Sequence, residues 1–232
     1  MDDLRATISG CFDTPKALAI NAARLDHLAT LGLDLDGKRV LETGAGVGHL
    51  TGFWEERGCD VVSLEGRKVL VAETLRRHPQ RKVFVADLTV PGLVSQFGQF
   101  DIVFCYGTLY HLNKPVVGLQ NMAEMCNGLL LLETMVWHND DGLPHLAKEG
   151  ADLHQSLHGV GCRPARDWVM VRLKERFEHV YLTRTQPNFP QFPLRWPVQI
   201  EFKPRAVFVA SRTELDLPTL TTDLLQRQET TP

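Results

Sequence analysis

Five short apolar runs, each followed or preceded by a stretch of helical character, lie between Arg39 and Glu133. This alternation constrains the fold more than any other feature of the chain. The runs are Arg39–Thr43, Asp60–Leu64, Lys82–Ala86, Phe100–Cys105 and Leu129–Glu133. The intervening segments His49–Arg57, Lys68–Arg77, Pro91–Phe97 and Pro115–Met125 read as helices. Near-continuous apolar strands separated by helices predict a parallel sheet covered on both faces. Upstream, Thr14-Pro15 is a cap followed by proline in a first turn, and Leu18, Ile20, Ala23, Leu25, Leu28 and Leu31 recur at helical spacing until Gly32. After Val136 the pattern changes. Residues 137–163 are polar and carry His138, His145, His154 and His158. Arg166–Arg176 then reads as helix, and His179–Thr185 and Arg205–Ala210 as strands.

The chain has 232 residues, enough for one elaborated domain with a substantial core. With 25 Lys and Arg against 28 Asp and Glu, its net charge of -3 gives no electrostatic reason to expect a nucleic-acid backbone or an anionic lipid surface. An apolar content of 44% at that low net charge excludes global disorder. The first ten residues have no basic stretch leading into an apolar one, so no secretory signal is expected. The longest apolar run, Gly128–Val136, contains Glu133 and is too short to span a bilayer. The cysteines at 11, 59, 105, 126 and 162 form an odd set without a CxxC pair. That speaks against a disulfide framework and a zinc cage, and for a reducing cytoplasm.

The most informative local stretch is Leu41-Glu42-Thr43-Gly44-Ala45-Gly46-Val47-Gly48-His49, a strand-turn-helix junction. Alternate glycines let the backbone turn sharply and approach a ligand, and the following helix would offer free N–H groups. Glycines alone do not choose the ligand. The spacing GxGxG differs from the dinucleotide pattern GxGxxG, with His49 where the latter has its third glycine. Glu42 stands just before the loop, where a carboxylate repels a pyrophosphate but welcomes an ammonium or sulfonium. The second strand ends in Glu65, whose two oxygens suit a ribose diol. The third ends in Ala86-Asp87-Leu88, where an adenine amino group can donate.

Val40–Thr51, Leu64-Glu65, Val85-Ala86-Asp87-Leu88 and Phe100–Gly107 together resemble the successive motifs of class I S-adenosylmethionine-dependent methyltransferases, over roughly residues 36–136. The resemblance implies an α/β, Rossmann-like, doubly wound sheet of seven strands, mostly parallel, with helices on both faces and an antiparallel last strand. The chain reads as a single domain over 1–232, with a helical cover (1–35), a cofactor-binding half (36–136), an acceptor-side half (137–212) and, where the sequence turns polar, a flexible tail (213–232). The cofactor would be S-adenosyl-L-methionine. Gly44, Ala45 and Gly46 would wrap its methionine portion with Glu42 nearby. Glu65 would bind the ribose hydroxyls, and Asp87 the adenine amino group with the Leu88 N–H near the ring. Cys105 and Tyr106 would line the methionine side.

On the acceptor side, Gly107-Thr108-Leu109-Tyr110-His111 follows the fourth strand. His111 is the candidate general base, and Tyr110 a candidate for positioning. Each also reads as a packed or capping residue. Glu133, His138, Asp140, Asp141, His145, His154 and His158 hold possible metal ligands, but their spacing matches no metal signature and no metal is expected. The segment from Gln186 to Pro197 interleaves prolines with Phe189, Phe192 and Trp196. It reads as a rim of the acceptor pocket, as a crossover packed on the core, or as the surface of a homodimer. The preferred function is methyl transfer to a small molecule, oxygen slightly favoured over nitrogen. The alternatives are a tRNA-modifying transferase and a non-catalytic cofactor-binding partner protein. Residues 107–111 are similar to the corresponding stretch of enzymes that carboxymethylate the wobble uridine of tRNA, whereas the acidic balance argues against an RNA substrate.

Overall fold

The computed structural model describes residues 2–231; Met1 and Pro232, the ends of the expected cover and tail, lie outside the described residues. Two helices open the chain, α1 (Asp2–Phe12) and α2 (Pro15–Thr30). The Thr14 hydroxyl accepts from the Ala17 N–H at 3.1 Å. This is the cap its sequence predicts, a device worth about 1 kcal/mol.

Five parallel strands follow: β1 (Arg39–Thr43), β2 (Asp60–Glu65), β3 (Lys82–Val85), β4 (Phe100–Tyr106) and β5 (Cys126–Met135). They are linked through α3 (Thr51–Glu55), α4 (Lys68–Arg77), α5 (Val94–Phe97) and α6 (Pro115–Glu124). A hairpin of β6 (Leu146–Lys148) and β7 (Val160–Cys162) stands outside the sheet, followed by α7 (Arg166–Lys174). The chain ends through β8 (His179–Thr183), β9 (Thr185–Gln186), β10 (Arg205–Ser211), β11 (Leu220–Thr221) and β12 (Glu229–Thr230). The main sheet runs β11-β8-β10-β5-β4-β1-β2-β3, with β10 antiparallel to both β5 and β8. The seven expected strands are present, but the sheet has eight, because β11 adds to the edge at β8.

Side chains alternate across the sheet, and both faces are covered. Leu41, Val103, Leu130, Leu132 and Phe208 pack with α6 and α7, and Val40, Ile102, Phe104, Leu131 and Val209 pack with α2 and α3. Trp54 is fully buried, edge-on to Phe104 at 5.1 Å between ring centroids. The helix after the glycine loop is shorter than its pattern predicts, starting at Thr51 rather than His49.

The largest departure lies after Thr213, where a polar composition predicts a flexible tail. Residues 213–231 instead run back over the protein. Leu220 and Thr221 pair with β8, and β12 pairs with β9. Gln228 is buried; its amide donates to the Thr183 carbonyl at 2.7 Å, and its oxygen accepts from Gln186 and Trp196. Buried polar groups must find partners, so a polar segment can be fixed by hydrogen bonds that no hydrophobic period reveals. His27 ties the first helices to this region. Its Nε2–H donates to the Thr185 carbonyl at 3.0 Å, and burial pushes the ring's pKa down to about 4.

Candidate functional site

A cavity of about 280 Å³ opens at the carboxyl edge of the parallel strands, the place where open α/β sheets bind ligands. Its floor is set by the turn after β1. Gly44 has φ +67°, and a Cβ there would collide with the Thr108 side chain, whose hydroxyl donates to the Thr43 carbonyl. The Gly44 and Ala45 N–H groups donate to the Leu64 carbonyl at 2.7 and 3.1 Å, tying the loop to the end of β2. Glu65 comes next and receives the Gly46 N–H at 2.9 Å on one oxygen and the Arg67 N–H at 2.9 Å on the other. Burial pushes its carboxyl above the usual range, against the pull of those N–H groups. The loop's own N–H groups thus bind a carboxylate and a carbonyl.

Asp87, after β3, accepts the N–H and hydroxyl of Thr89 at 2.8 and 2.7 Å on one oxygen. His158 Nε2 lies 2.7 Å from the other. Burial opposes ionisation, but these three donors hold the Asp87 carboxyl below its usual range. His158 comes from the polar stretch between β6 and β7, which Arg67 anchors through the Gln155 and Ser156 carbonyls.

Gly44, Ala45, Gly46, Glu65, Asp87, Leu88, Tyr106, Tyr110 and His111 meet on this one wall, whereas Glu42 and Cys105 do not. Glu42 is buried beside the loop, accepting the Thr51 and Ser63 hydroxyls at 2.6 and 2.8 Å, and burial raises its carboxyl. Cys105 faces away because strand side chains alternate, so it and Tyr106 cannot share a face. It packs in the core, where burial pushes the thiol up to about 12.

At the far end, His111 Nδ1 lies 2.5 Å from Glu149. A carboxylate only accepts, so Nδ1 carries the hydrogen and Nε2 is left with a free lone pair. Nε2 has no partner among the described residues, and the ring lines the cavity. Glu149 is itself fixed by Arg163 at 3.0 Å and the Ser156 N–H at 2.7 Å. Burial would raise Glu149, but His111, Ser156 and Arg163 hold it below its usual range. Burial pulls His111 below its ordinary value, opposed by Glu149.

The possible metal ligands do not converge. Glu133 is bound by Arg24 and Arg205, Asp140 by Arg166, and His145 by Asp141. Among the described residues no three His, Cys, Asp or Glu side chains are grouped to hold a metal ion. Residues 186–197 do not rim the cavity either. Phe192 and Trp196 are buried, and the Arg166 guanidinium lies over the Trp196 ring at 3.8 Å. The segment is packed on the core and does not rim the pocket.

Arg24, Glu149 and Arg205 were not among the residues singled out from sequence. Arg24 did leave a signal, as a charge between Ile20 and Leu28 on the apolar stripe of α2. Glu149 left none, lying in a polar stretch without periodicity.

A return strand inserted antiparallel between β5 and β8, on a parallel sheet ordered 3-2-1-4-5 with a glycine turn after its central strand, defines the class I S-adenosylmethionine-dependent methyltransferases. A family described as a methyltransferase domain matches residues 17–185, and the chain belongs to it. The tRNA U34 carboxymethyltransferase of Ectopseudomonas mendocina (strain ymp) is 32% identical over 116 residues, which are 47% of this chain and 35% of that enzyme. The ubiquinone biosynthesis O-methyltransferase of Xanthomonas oryzae pv. oryzae (strain PXO99A) is 31% identical over 123 residues, covering 50% of this chain and 51% of the relative. The chain thus matches between about a third and a half of these relatives' length. Among solved structures, the N-terminal domain of EvdMO1, crystallised with SAH and D-fucose, superposes with a TM-score of 0.63 at 22% identity, covering 86% of this chain and 84% of that one. No helix among the described residues is long and apolar enough to cross a membrane.

Proposed function

We propose that this protein transfers a methyl group from S-adenosylmethionine to a hydroxyl of a small molecule, with His111 as general base. The observation that carries the reading is His111 on the cavity wall with its Nδ1–H held by Glu149 behind it, which leaves the unprotonated Nε2 as the ring's free base. Gly44, Ala45 and Gly46 would hold the methionine portion of the cofactor with Tyr106 beside it. Glu65 would take the ribose hydroxyls. Asp87 would take the adenine amino group, sharing its outer oxygen with His158 or displacing it, and the Leu88 N–H would face the ring. The fit is supported by the glycine turn, which a Cβ would block, and by the two acids at successive strand ends. The bound cofactor supplies an electrophilic methyl group. The chain's task is to align the acceptor and take its proton. We read residues 36–136 as the cofactor half and 137–212 as the acceptor half of one domain, and a reducing cytoplasm as its compartment.

The similarity to the tRNA enzymes favours a second reading, tRNA modification, which the acidic balance opposes. A screen with radiolabelled S-adenosylmethionine against hydroxylated small molecules, amines and tRNA decides between them. Turnover of a hydroxylated compound supports the proposal, and label in tRNA alone overturns it. Binding of the cofactor without transfer to any acceptor would mean a non-catalytic partner protein. With an acceptor found, His111→Ala should lower turnover by about 100-fold or more while leaving affinity for S-adenosylhomocysteine unchanged. Because the neutral ring is the active form and burial lowers its pKa, turnover should fall on the acid side with a midpoint below 6.5. Unchanged turnover in His111→Ala would remove it as the base.

A further inference from the structure

We propose that His158 positions the general base: by latching the segment 149–158 onto Asp87, it holds Glu149 against His111. The inference rests on the reading of His111 as the base of a methyltransferase. A continuous chain of hydrogen bonds joins the two ends of the cavity. His158 Nε2 meets the outer oxygen of Asp87 at 2.7 Å, and the His158 N–H donates to the Ser156 hydroxyl at 3.3 Å. The Ser156 N–H donates to Glu149 Oε2 at 2.7 Å, and the same oxygen receives His111 Nδ1–H. One short segment therefore links the acid assigned to adenine with the residue assigned to the acceptor's proton.

Little else fixes this segment in place. Of residues 150–159 only Ser156 is buried, and Leu153 gives it a contact with the apolar cluster of Ile8, Val47 and Leu70. A segment with few buried apolar contacts opens at low cost, so its ties set its position. Those ties come from the cofactor end. Arg67 Nη2 donates to the Gln155 and Ser156 carbonyls at 3.3 and 3.0 Å, while the Arg67 N–H rests on Glu65. His158 supplies the tie to Asp87. At the other end, Arg163 fixes Glu149 through Oε1. Oε2, the oxygen that meets His111, is aimed by the Ser156 N–H. Without the latch the Ser156 N–H is no longer held, and Oε2 loses the donor that aims it at His111.

The latch is compatible with a bound cofactor. A carboxylate oxygen accepts about two hydrogen bonds. The outer oxygen of Asp87 takes only His158 among the described residues, so an adenine amino group can join His158 there. The segment then stays shut while the base is in use. His158 touches no reacting atom, and it acts on His111 through Ser156 and Glu149.

The test follows His111 by NMR in the full chain labelled with 15N-histidine, with and without S-adenosylhomocysteine. Its ring signals are those lost in His111→Gln. The unaltered ring should hold the Nδ1–H tautomer alone. In His158→Ala the two tautomers should mix, and the ring's titration midpoint should fall by about half a unit or more, because a loosened Glu149 stabilises the charged ring less. With an acceptor in hand, the acid limb of turnover should move with it. His158→Gln, whose amide can still donate to Asp87, should restore both. In a Glu149→Gln background, His158→Ala should shift the midpoint by less than half as much, since the path runs through Glu149. Where His158→Ala does not fold, Asp87→Asn weakens the latch from its other side and is read in the same way. An unchanged tautomer and midpoint in a folded latch variant overturns the proposal, even if S-adenosylhomocysteine binds more weakly, because His158 would then serve the adenine alone. So does an equal shift in the Glu149→Gln background. The cofactor-free spectra read the coupling by themselves. Failure of the folded, unaltered chain to bind S-adenosylhomocysteine therefore overturns the methyltransferase reading and is told apart from failure of the latch.

Discussion

At the β1–β3 end of the cavity the architecture is backbone: the N–H groups of Gly44, Ala45 and Gly46 fix the turn and brace Glu65. At the β5–β10 end it is side chain, with Arg24, Glu133, Arg205, Tyr110, Glu149 and His111 drawn from across the chain and joined by charge. A backbone cradle serves a ligand that does not vary. A side-chain wall can be rebuilt for a new acceptor without disturbing the turn beside it. The two ends should therefore fail differently when altered.

The largest effect is expected at the backbone end. Gly44→Val forces a β-branched residue to a φ of +67° and drives its Cβ into Thr108. Affinity for S-adenosylhomocysteine should fall by about 100-fold or more, with a lowered Tm, since strain and overpacking each cost about 1–3 kcal/mol. Calorimetry and thermal melts measure both. Near-native affinity in this variant would mean that the turn is not the cradle.

A smaller effect is expected at the other end. Glu149→Gln should lower turnover by about tenfold and leave S-adenosylhomocysteine affinity unchanged. It also removes the negative charge that raises the His111 pKa, so the acid limb of the pH–rate profile should move to lower pH. An acid limb that stays in place would show Glu149 to be structural only.

This contrast also explains how much the sequence could say. The strands, the glycine turn, Glu65 and Asp87 follow from short-range patterns, in which period and spacing act within a few residues. Glu42 and Cys105 lie close in sequence to the ligand-facing residues yet do not line the cavity. Strand alternation turns Cys105 into the core, and two hydroxyls claim Glu42. Arg24 and Glu133 are 109 positions apart, and no local rule pairs them. The 213–231 segment was misread for a related reason, because its order depends on polar partners elsewhere, such as Thr183 and Arg166.

The central claim is that the backbone end binds S-adenosylmethionine through the acid that faces the cavity. Calorimetry of S-adenosylhomocysteine with Glu65→Gln and Glu42→Gln, side by side with the unaltered chain, tests it most directly. One site per chain is predicted, about tenfold weaker in Glu65→Gln and within about twofold of native in Glu42→Gln, whose carboxylate lies behind the loop. Equal affinity of Glu65→Gln and the unaltered chain, or no binding by the folded chain, would contradict it.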